Sequence, residues 1–348
     1  MNIVYVSYLD PYYSRSSVHL REFVNTDCPD QSISFEKLPM GPLRKIRPLM
    51  KFYKKYKKTN PIIVVMSPCS SLVLYLRIMG FRRIVFDGGW PMIDAAALRG
   101  RTSIRKLLIW LLDYYSISLS QLYVCESEEQ VKNVHARFRI DKRKLAVGFT
   151  GFDEYQVSRA SSSTEVHLIL DTTQPYVFFR GKPNAEAGIE TIIETAHLLD
   201  GIVHFVLASP GLAIEDYGSN VTVFNQFLSW KEISFLYENS SLVVGQMSRE
   251  ERITRTIPHK FYEAAYFGKA YITSKSTPMY GLVGSGFFEC EGDNPAELAR
   301  TIRHLLANRG LVSQLEEKMK FLYESRFSQR KITSNFRDLL RRHFECIN

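Results

Sequence analysis

The sequence predicts an α/β protein of two domains, and three observations support this. Short apolar strand patterns alternate with helical patterns along all 348 residues, an order typical of parallel sheets covered by helices. At roughly 150 residues per domain, this length suits two domains. A polar, serine-rich stretch at residues 158–164 has the composition of a linker. We therefore predict domains over residues 1–155 and 165–326, followed by a terminal helix over residues 327–348.

The composition excludes several classes of protein. Hydrophobic residues make up 45% of the chain and aromatic residues 13%, enough for a substantial core. No run of about 18 apolar residues occurs, so we expect no spanning helix. Residues 1–6 read as a strand and lack the charged start and long apolar segment of a signal peptide. Five widely spaced cysteines indicate neither a metal cluster nor a disulfide framework, and we expect a cytoplasmic protein.

Positive charge is concentrated in the first half of the chain. Residues 1–155 hold 24 Lys and Arg against 14 Asp and Glu, a net of +10, and the remainder holds 21 against 22, which together give the overall +9. A half that is basic as a unit predicts an acidic partner there.

The first half begins with a strand at residues 3–6, a loop rich in aromatic and hydroxyl side chains, and a helix over residues 18–23. A later strand over residues 83–86 ends in Asp87-Gly88-Gly89. Ligands of open α/β sheets bind beyond the carboxyl ends of strands, so both strand ends are candidate site walls. A plain turn at Asp87 and a core position for His19 are the alternatives, and both stay open. The candidates for ligand contact in this half are Tyr12, Arg15, His19, Asp87, Gly88 and Gly89.

A basic amphipathic helix is predicted over residues 43–58, where eight Lys and Arg occur without an acid. Apolar residues recur at helical spacing at Ile46, Leu49, Met50 and Tyr53. Such a helix suits an anionic membrane surface. Alternatively, the apolar stripe packs on the sheet and the charges are solvated. A nucleic-acid surface ranks lower, because the aromatics form no stacking motif, and no nucleic acid is expected. The proposed membrane-facing residues are Lys51, Lys54, Lys55, Lys57 and Lys58.

The rest of the first half continues the alternation. Strands are predicted at residues 61–66 and 122–125, and helices at 70–79, 104–119 and 126–134. The second half restarts with a strand at 176–179, followed by Arg180-Gly181-Lys182 and a helix over 187–199. Strands at 203–207, 221–224 and 242–244 follow, with a capped helix starting at Ser229, where Glu232 stands three residues on.

The most informative stretch is residues 256–273. Pro258 suits the first turn of a helix and Gly268 suits its end. A short buried strand is predicted directly after it. Glu263 lies mid-helix beside small residues, which leave room for a ligand. The alternative is an ordinary packing helix with a solvated Glu.

Residues 258–264, Pro-His-Lys-Phe-Tyr-Glu-Ala, followed by Phe267-Gly268-Lys269, resemble the donor-binding signature of retaining glycosyltransferases of the GT-B fold, family 4 type. The resemblance implies two Rossmann-like domains facing a central cleft, with a C-terminal helix crossing back to the first domain. It implies that Glu263 binds the ribose of a sugar nucleotide. It also implies that Arg180 and Lys182 contact its diphosphate. The sequence departs from the family at Arg255, where a second Glu is usual, and at Ala187, where a Lys usually precedes Gly188.

The resemblance further implies a hexosyltransferase that moves a sugar from a UDP- or GDP-linked donor to a lipid-linked or oligosaccharide acceptor. Retention of anomeric configuration and a place in polysaccharide or lipopolysaccharide biosynthesis go with it. The basic helix of the first half separately predicts peripheral contact with the inner face of a membrane. No Asp-x-Asp occurs, and we expect no metal or other cofactor. No catalytic residue is identified. A sugar-nucleotide 2-epimerase and a non-catalytic GT-B partner subunit remain alternatives. The expected donor-binding residues are Arg180, Lys182, His259, Lys260 and Glu263.

Overall fold

The structure, a computed structural model, describes residues 1–10, 15–25, 32–39, 46–98, 102–160, 174–213, 217–283 and 289–345. It confirms the predicted fold class, because the chain forms two six-stranded sheets of parallel strands with helices around them. The chain divides into two compact units, residues 1–151 with 329–348 and residues 152–328.

The first unit contains a sheet of order β2-β1-β3-β4-β5-β6. Its strands are β1 (Asn2–Ser7), β2 (Ser32–Lys37), β3 (Ile62–Met66), β4 (Ile84–Gly89), β5 (Leu122–Cys125) and β6 (Leu145–Val147). Its helices are α1 (Arg15–Asn25), α2 (Ile46–Tyr56), α3 (Ser70–Ile78), α4 (Met92–Leu98), α5 (Ser103–Leu119) and α6 (Glu128–Phe138).

The second unit contains a sheet of order β12-β11-β10-β7-β8-β9. Its strands are β7 (Tyr176–Arg180), β8 (His204–Ala208), β9 (Val221–Phe224), β10 (Leu242–Val244), β11 (Tyr271–Ser274) and β12 (Glu289–Cys290). Its helices are α7 (Glu154–Ala160), α8 (Ile189–Leu198), α9 (Trp230–Asn239), α10 (His259–Tyr266), α11 (Thr277–Val283), α12 (Pro295–Ala307) and α13 (Arg309–Leu322). The chain then returns to the first unit through α14 (Gln329–Glu345).

Alternation along the strands of the first unit produces two cores, one on each side of the sheet. Val4 and Val6 join a core with residues of α2, α3, α5 and α6. Ile3 and Tyr5 point to the other side, where the core includes Phe336 and Leu340 of α14. Successive side chains of a strand point to opposite faces, so a parallel sheet covered on both sides needs strands that are apolar throughout. The terminal helix thus packs on the sheet of the first unit.

Local signals in the second unit act as the sequence predicts. Ser229 and Glu232 form a complete capping box at the start of α9. Pro258 is the N-cap of α10, one residue before the first helical position. Gly268 has φ +62° directly after the helix end, where a side chain would strain the backbone. The chain turns there into β11, which pairs with β10.

The terminal helix predicted over residues 327–348 forms as α14, and a turn of a different kind precedes it. A π-helical turn spans Tyr323–Phe327, and α14 begins only at Gln329. Within the ranges that the structure describes, no helix is long and apolar enough to cross a membrane.

Candidate functional site

A cavity of about 230 Å³ lies in the second unit, at the carboxyl ends of β7 and β8 and beside the start of α10. Open parallel sheets place ligands at this edge. All five expected donor-binding residues line it. The lining comprises Arg180, Gly181, Lys182, Ala208, Pro210, Gln226, Phe227, Leu228, Ile233, His259, Lys260 and Glu263.

Glu263 is the buried anion of this site. Its side chain is only 2% exposed, and its Oε1 accepts from Arg180 and lies 3.0 Å from Nδ1 of His259. Its Oε2 accepts a hydrogen bond of 2.7 Å from the hydroxyl of Tyr237. Burial by itself would raise the pKa of the Glu263 carboxyl, but the Arg180 guanidinium and His259 hold it well below the ordinary value. Glu263 is therefore an ionised carboxylate at neutral pH.

Arg180 is fixed on two sides. It ends β7, so the strand sets its position, and its guanidinium lies 4.6 Å from the ring centroid of Trp230. The same group pairs with Glu263. A guanidinium held by a carboxylate and an aromatic ring keeps other N–H groups for a ligand, since it has five donors.

Lys260 reaches the cavity from the first turn of α10. Its ammonium lies 5.6 Å from the ring centroid of Phe179. A side chain at position 181 would not fit, because a Cβ on Gly181 would lie 2.5 Å from Cε of Lys260. Burial lowers the pKa of Lys260, while the charge of Glu263 opposes this. A second negative charge in the cavity would favour the protonated form.

Lys182 and Phe227 form the exposed rim. The Lys182 ammonium lies 5.9 Å from the ring centroid of Phe227, which is 80% exposed. Sequence reasoning missed Phe227 and Tyr237. A local signal for Phe227 exists. It lies in the loop before a capped helix, where neither a strand pattern nor a helix pattern accounts for an aromatic side chain. No signal exists for Tyr237, which resembles any core residue of α9.

The two departures from the family signature have local structural roles. Arg255 pairs with Glu251, and Ala187 is fully buried. The neighbouring Glu186 forms a bidentate ion pair with Arg252. Neither Arg255 nor Ala187 lines the cavity.

In the first unit, Arg15 and Asp87 are brought together. Nε of Arg15 donates to Oδ1 of Asp87 at 2.6 Å, and the other guanidinium nitrogens donate to Oγ1 of Thr150 at 3.2 Å and to the carbonyl oxygen of Gly148 at 2.6 Å. Burial raises the pKa of the Asp87 carboxyl, and the charge of Arg15 opposes this. Arg15 thus ties the start of α1 to the carboxyl ends of β4 and β6.

The remaining candidates of the first unit divide into core and turn positions. His19 is 1% exposed and stacks on Phe336 at 4.5 Å, so it is a core histidine in this structure. A Cβ on Gly88 would meet the ring of Tyr123 at 2.3 Å, which explains that glycine by packing. Gly89 has φ +69° at a shift in the register between β4 and β5. Tyr12 lies outside the described residues.

The basic helix α2 buries a different stripe from the one predicted. Leu49, Phe52 and Tyr56 are buried, whereas Ile46 and Met50 are exposed. The five candidate lysines, of which Lys57 and Lys58 follow the end of α2, are all exposed. Two of them also bind within the unit, Lys55 to Glu36 at 2.7 Å and Lys57 to the carbonyl oxygen of Gly80 at 3.2 Å. Arg44 and Lys45 lie outside the described residues.

Among the residues that the structure describes, no group of three or more His, Cys, Asp or Glu side chains is arranged to hold a metal ion.

The chain is similar to known proteins in sequence over its second half and in fold over nearly its whole length. Residues 165–321 match the family of glycosyl transferases group 1. No curated protein sequence matches significantly.

Solved structures match over nearly the whole chain, at low identity. A sucrose-phosphate synthase of Thermosynechococcus elongatus has a TM-score of 0.74 at 13% identity, covering 99% of this chain and 100% of the other. Anabaena HepE in complex with UDP-glucose gives 0.70 at 13% identity, with 98% and 99% covered. An E. coli trehalose-6-phosphate protein bound with UDP-2-fluoro glucose gives 0.67 at 9% identity, with 98% and 99% covered. The shared fold is GT-B.

Proposed function

We propose that this chain, whose residues 165–321 match the family of glycosyl transferases group 1, transfers a sugar from a UDP-linked donor to a membrane-associated or saccharide acceptor. The observation that carries the proposal is the cavity of the second unit, which three cationic side chains and one buried carboxylate line together. UDP is favoured over GDP because Anabaena HepE binds UDP-glucose and the E. coli protein binds UDP-2-fluoro glucose.

The cations suit the diphosphate of such a donor. Cleavage of the bond between sugar and diphosphate leaves negative charge on the leaving phosphate, and fixed cations lower the barrier where that charge develops. Arg180 and Lys260 lie on the wall and Lys182 lies on the rim. Glu263 neutralises part of their charge before a donor binds, so the cations tolerate one another in the empty cavity. These side chains take the place of a divalent metal in the proposed reaction, which needs no cofactor.

The nucleoside is proposed to occupy the rim. The exposed ring of Phe227 offers a stacking surface for the base, and stacking of a base on an aromatic ring contributes about 1–3 kcal/mol. Glu263 has about four lone-pair sites, and Arg180, His259 and Tyr237 occupy three of them. One site remains for a ribose hydroxyl. Glu263 would then have two roles at once, because it would bind the ribose and orient Arg180.

The acceptor is proposed to bind in the first unit, near the carboxyl ends of β1 and β4. The Arg15–Asp87 pair shapes this edge of the sheet. We further propose that the reaction retains anomeric configuration and serves polysaccharide or lipopolysaccharide biosynthesis at the cytoplasmic face of a membrane. The net charge of +10 over residues 1–155 supports an anionic surface as partner.

Binding measurements on three variants test the donor site. We expect Arg180→Ala/Lys182→Ala to weaken UDP far more than uridine, because only UDP carries the diphosphate. Phe227→Ala should weaken both ligands by a similar factor, since both carry the base. Arg300→Ala, an exposed cation of α12 outside the cavity, is the matched control and should leave both affinities unchanged. Equal losses of UDP and uridine in the double variant would refute the diphosphate role.

A non-catalytic partner subunit is the second candidate, and Arg255 is the observation that favours it. The usual second Glu of the signature is replaced there by a cation paired with Glu251. UDP release from UDP-sugars in the presence of membrane lipid acceptors, with and without EDTA, separates the two functions. Turnover unaffected by EDTA supports the metal-free transferase. UDP binding without turnover for any UDP-sugar supports the partner subunit.

A further inference from the structure

Helix α5 of the first unit carries apolar side chains on two sides. One side is buried against the sheet and α3, with Ile117 fully inside the core. The other side exposes Ile104 at 74%, Leu107 at 57% and Leu108 at 60%. These three residues follow the spacing i, i+3, i+4, so they lie side by side on the helix surface. We call them the α5 stripe.

Single exposed apolar residues are ordinary, but a contiguous group on one helix marks an interaction surface. The charge around the α5 stripe indicates the partner. Arg99, Arg101, Arg105 and Lys106 surround or precede it in the sequence, and no Asp or Glu occurs from residue 95 to residue 112. An apolar helix face whose flanking charges in the sequence are all cationic complements an anionic lipid surface. It fits a second copy of this chain less well, because like charges would oppose one another at the contact.

The basic helix α2 lies on the same side of the sheet. Both α2 and α5 contribute to one core, on the side opposite α1 and α14. Each leads directly into a strand, α2 into β3 and α5 into β5, so each begins near the carboxyl ends of the strands. The exposed apolar residues Ile46 and Met50 also lie in the first half of α2. Both helices therefore expose apolar residues near the same edge of the first unit.

We propose that the α5 stripe inserts into the interfacial region of an anionic bilayer while the cations of α5 and α2 contact the lipid headgroups. Such a docking surface would hold the protein at the membrane that carries the proposed acceptor. The inference rests on the proposed function only for the identity of that acceptor. It assigns the apolar part of membrane binding to α5, which the basic sequence of α2 by itself does not suggest.

Insertion and electrostatic attraction respond differently to salt. Attraction between exposed charges and headgroups is screened at high ionic strength, whereas transfer of apolar surface is not. We therefore expect two components of binding, one that salt removes and one that resists salt. The α5 stripe accounts for the second component.

Co-sedimentation of the full chain with vesicles of three parts phosphatidylcholine to one part phosphatidylglycerol tests this. We expect wild type to bind at low salt and to keep a measurable fraction bound at high salt. Leu107→Gln/Leu108→Gln should lower the vesicle partition coefficient on the order of 30-fold, because two partly exposed leucines lose their insertion. The loss should remain at high salt, where the salt-resistant component is measured. Lys51→Gln/Lys54→Gln/Lys58→Gln should lower only the salt-sensitive component.

The matched control is Leu198→Gln/Ile202→Gln, which replaces two side chains of the second unit that are each 50% exposed. It should bind vesicles like wild type. All variants should keep their affinity for UDP, which shows that they are folded and separates this test from the donor-site experiment. Wild-type protein that ignores these vesicles at low salt overturns the inference. A leucine variant that binds vesicles like wild type also overturns the inference. A leucine variant that binds like wild type but changes from dimer to monomer would assign the stripe to contact with a second copy of the chain.

Discussion

The buried carboxylate of Glu263 should be worth about 3 kcal/mol of unfolding free energy to the second unit. The change to test is Glu263→Gln, which keeps the shape of the side chain and removes its charge. Breaking a buried ion pair by removing one partner costs about 3–5 kcal/mol, because the other charge is left uncompensated. Arg180 keeps 28% of its side chain exposed and can regain some water, so we expect the lower end of that range.

Trp230 makes the measurement specific for this unit. The chain has three tryptophans, and Trp90 and Trp110 belong to the first unit. In a background of Trp90→Phe and Trp110→Phe, fluorescence during urea unfolding therefore follows Trp230, on whose ring Arg180 lies. The midpoint should fall in the Glu263→Gln variant while the slope with denaturant stays constant.

Two comparisons make the result interpretable. Glu291→Gln removes a half-exposed partner of Arg249 in the same unit and should cost no more than about 1 kcal/mol, as for other surface pairs. Tyr237→Phe removes one hydrogen bond to the carboxylate and should cost about 1.5 kcal/mol. Its combination with Glu263→Gln should be non-additive, since both changes act on one network. An unchanged midpoint for Glu263→Gln, or a loss no larger than that of Glu291→Gln, would refute a buried anionic hub.

Three further outcomes are expected. The pKa of His19 is lowered from 6.5 to about 3, first by burial and then by Arg15, so the folded state binds fewer protons than the unfolded state. The contribution of His19 to the unfolding free energy should be fully present above pH 6.5 and should fall by about 1.4 kcal/mol per pH unit as the pH drops towards 3. In urea unfolding of the first unit, the unfolding free energy of His19→Leu should depend less on pH than that of wild type. Burial lowers the pKa of Lys260, so UDP affinity should decline with rising pH as Lys260 loses its proton. Calorimetry on Lys260→Arg should show this decline at higher pH or not at all. Gly188→Ala should destabilise the second unit more than Gly211→Ala in thermal unfolding, because both have positive φ but only the first would place a Cβ 2.5 Å from the backbone of Met247; equal losses would contradict this account.

The elements of the fold follow from local sequence, because strand and helix periods and caps act over a few residues. Residues 61–66 are apolar throughout, and Ile62–Met66 form β3, which is buried on both faces of the sheet. Pro258 and Gly268 bracket α10, and Ser229 with Glu232 starts α9. The apolar spacing in α2 was insufficient to identify its buried stripe, because Phe52 and Tyr56 compete with Ile46 and Met50 for the core and only the position of the sheet selects between them.

The sequence by itself determined that two α/β units follow one another, and that in the second unit two cations follow a strand while a glutamate lies mid-helix. Only the tertiary structure decided their contacts. Arg180 and Glu263 are 83 residues apart, and Tyr237 reaches the same carboxylate from a third element. Likewise, His19 reads as a possible ligand until α14, more than three hundred residues later, covers it with Phe336. Local patterns fix which face of an element is apolar, whereas the partner of that face depends on how the chain returns.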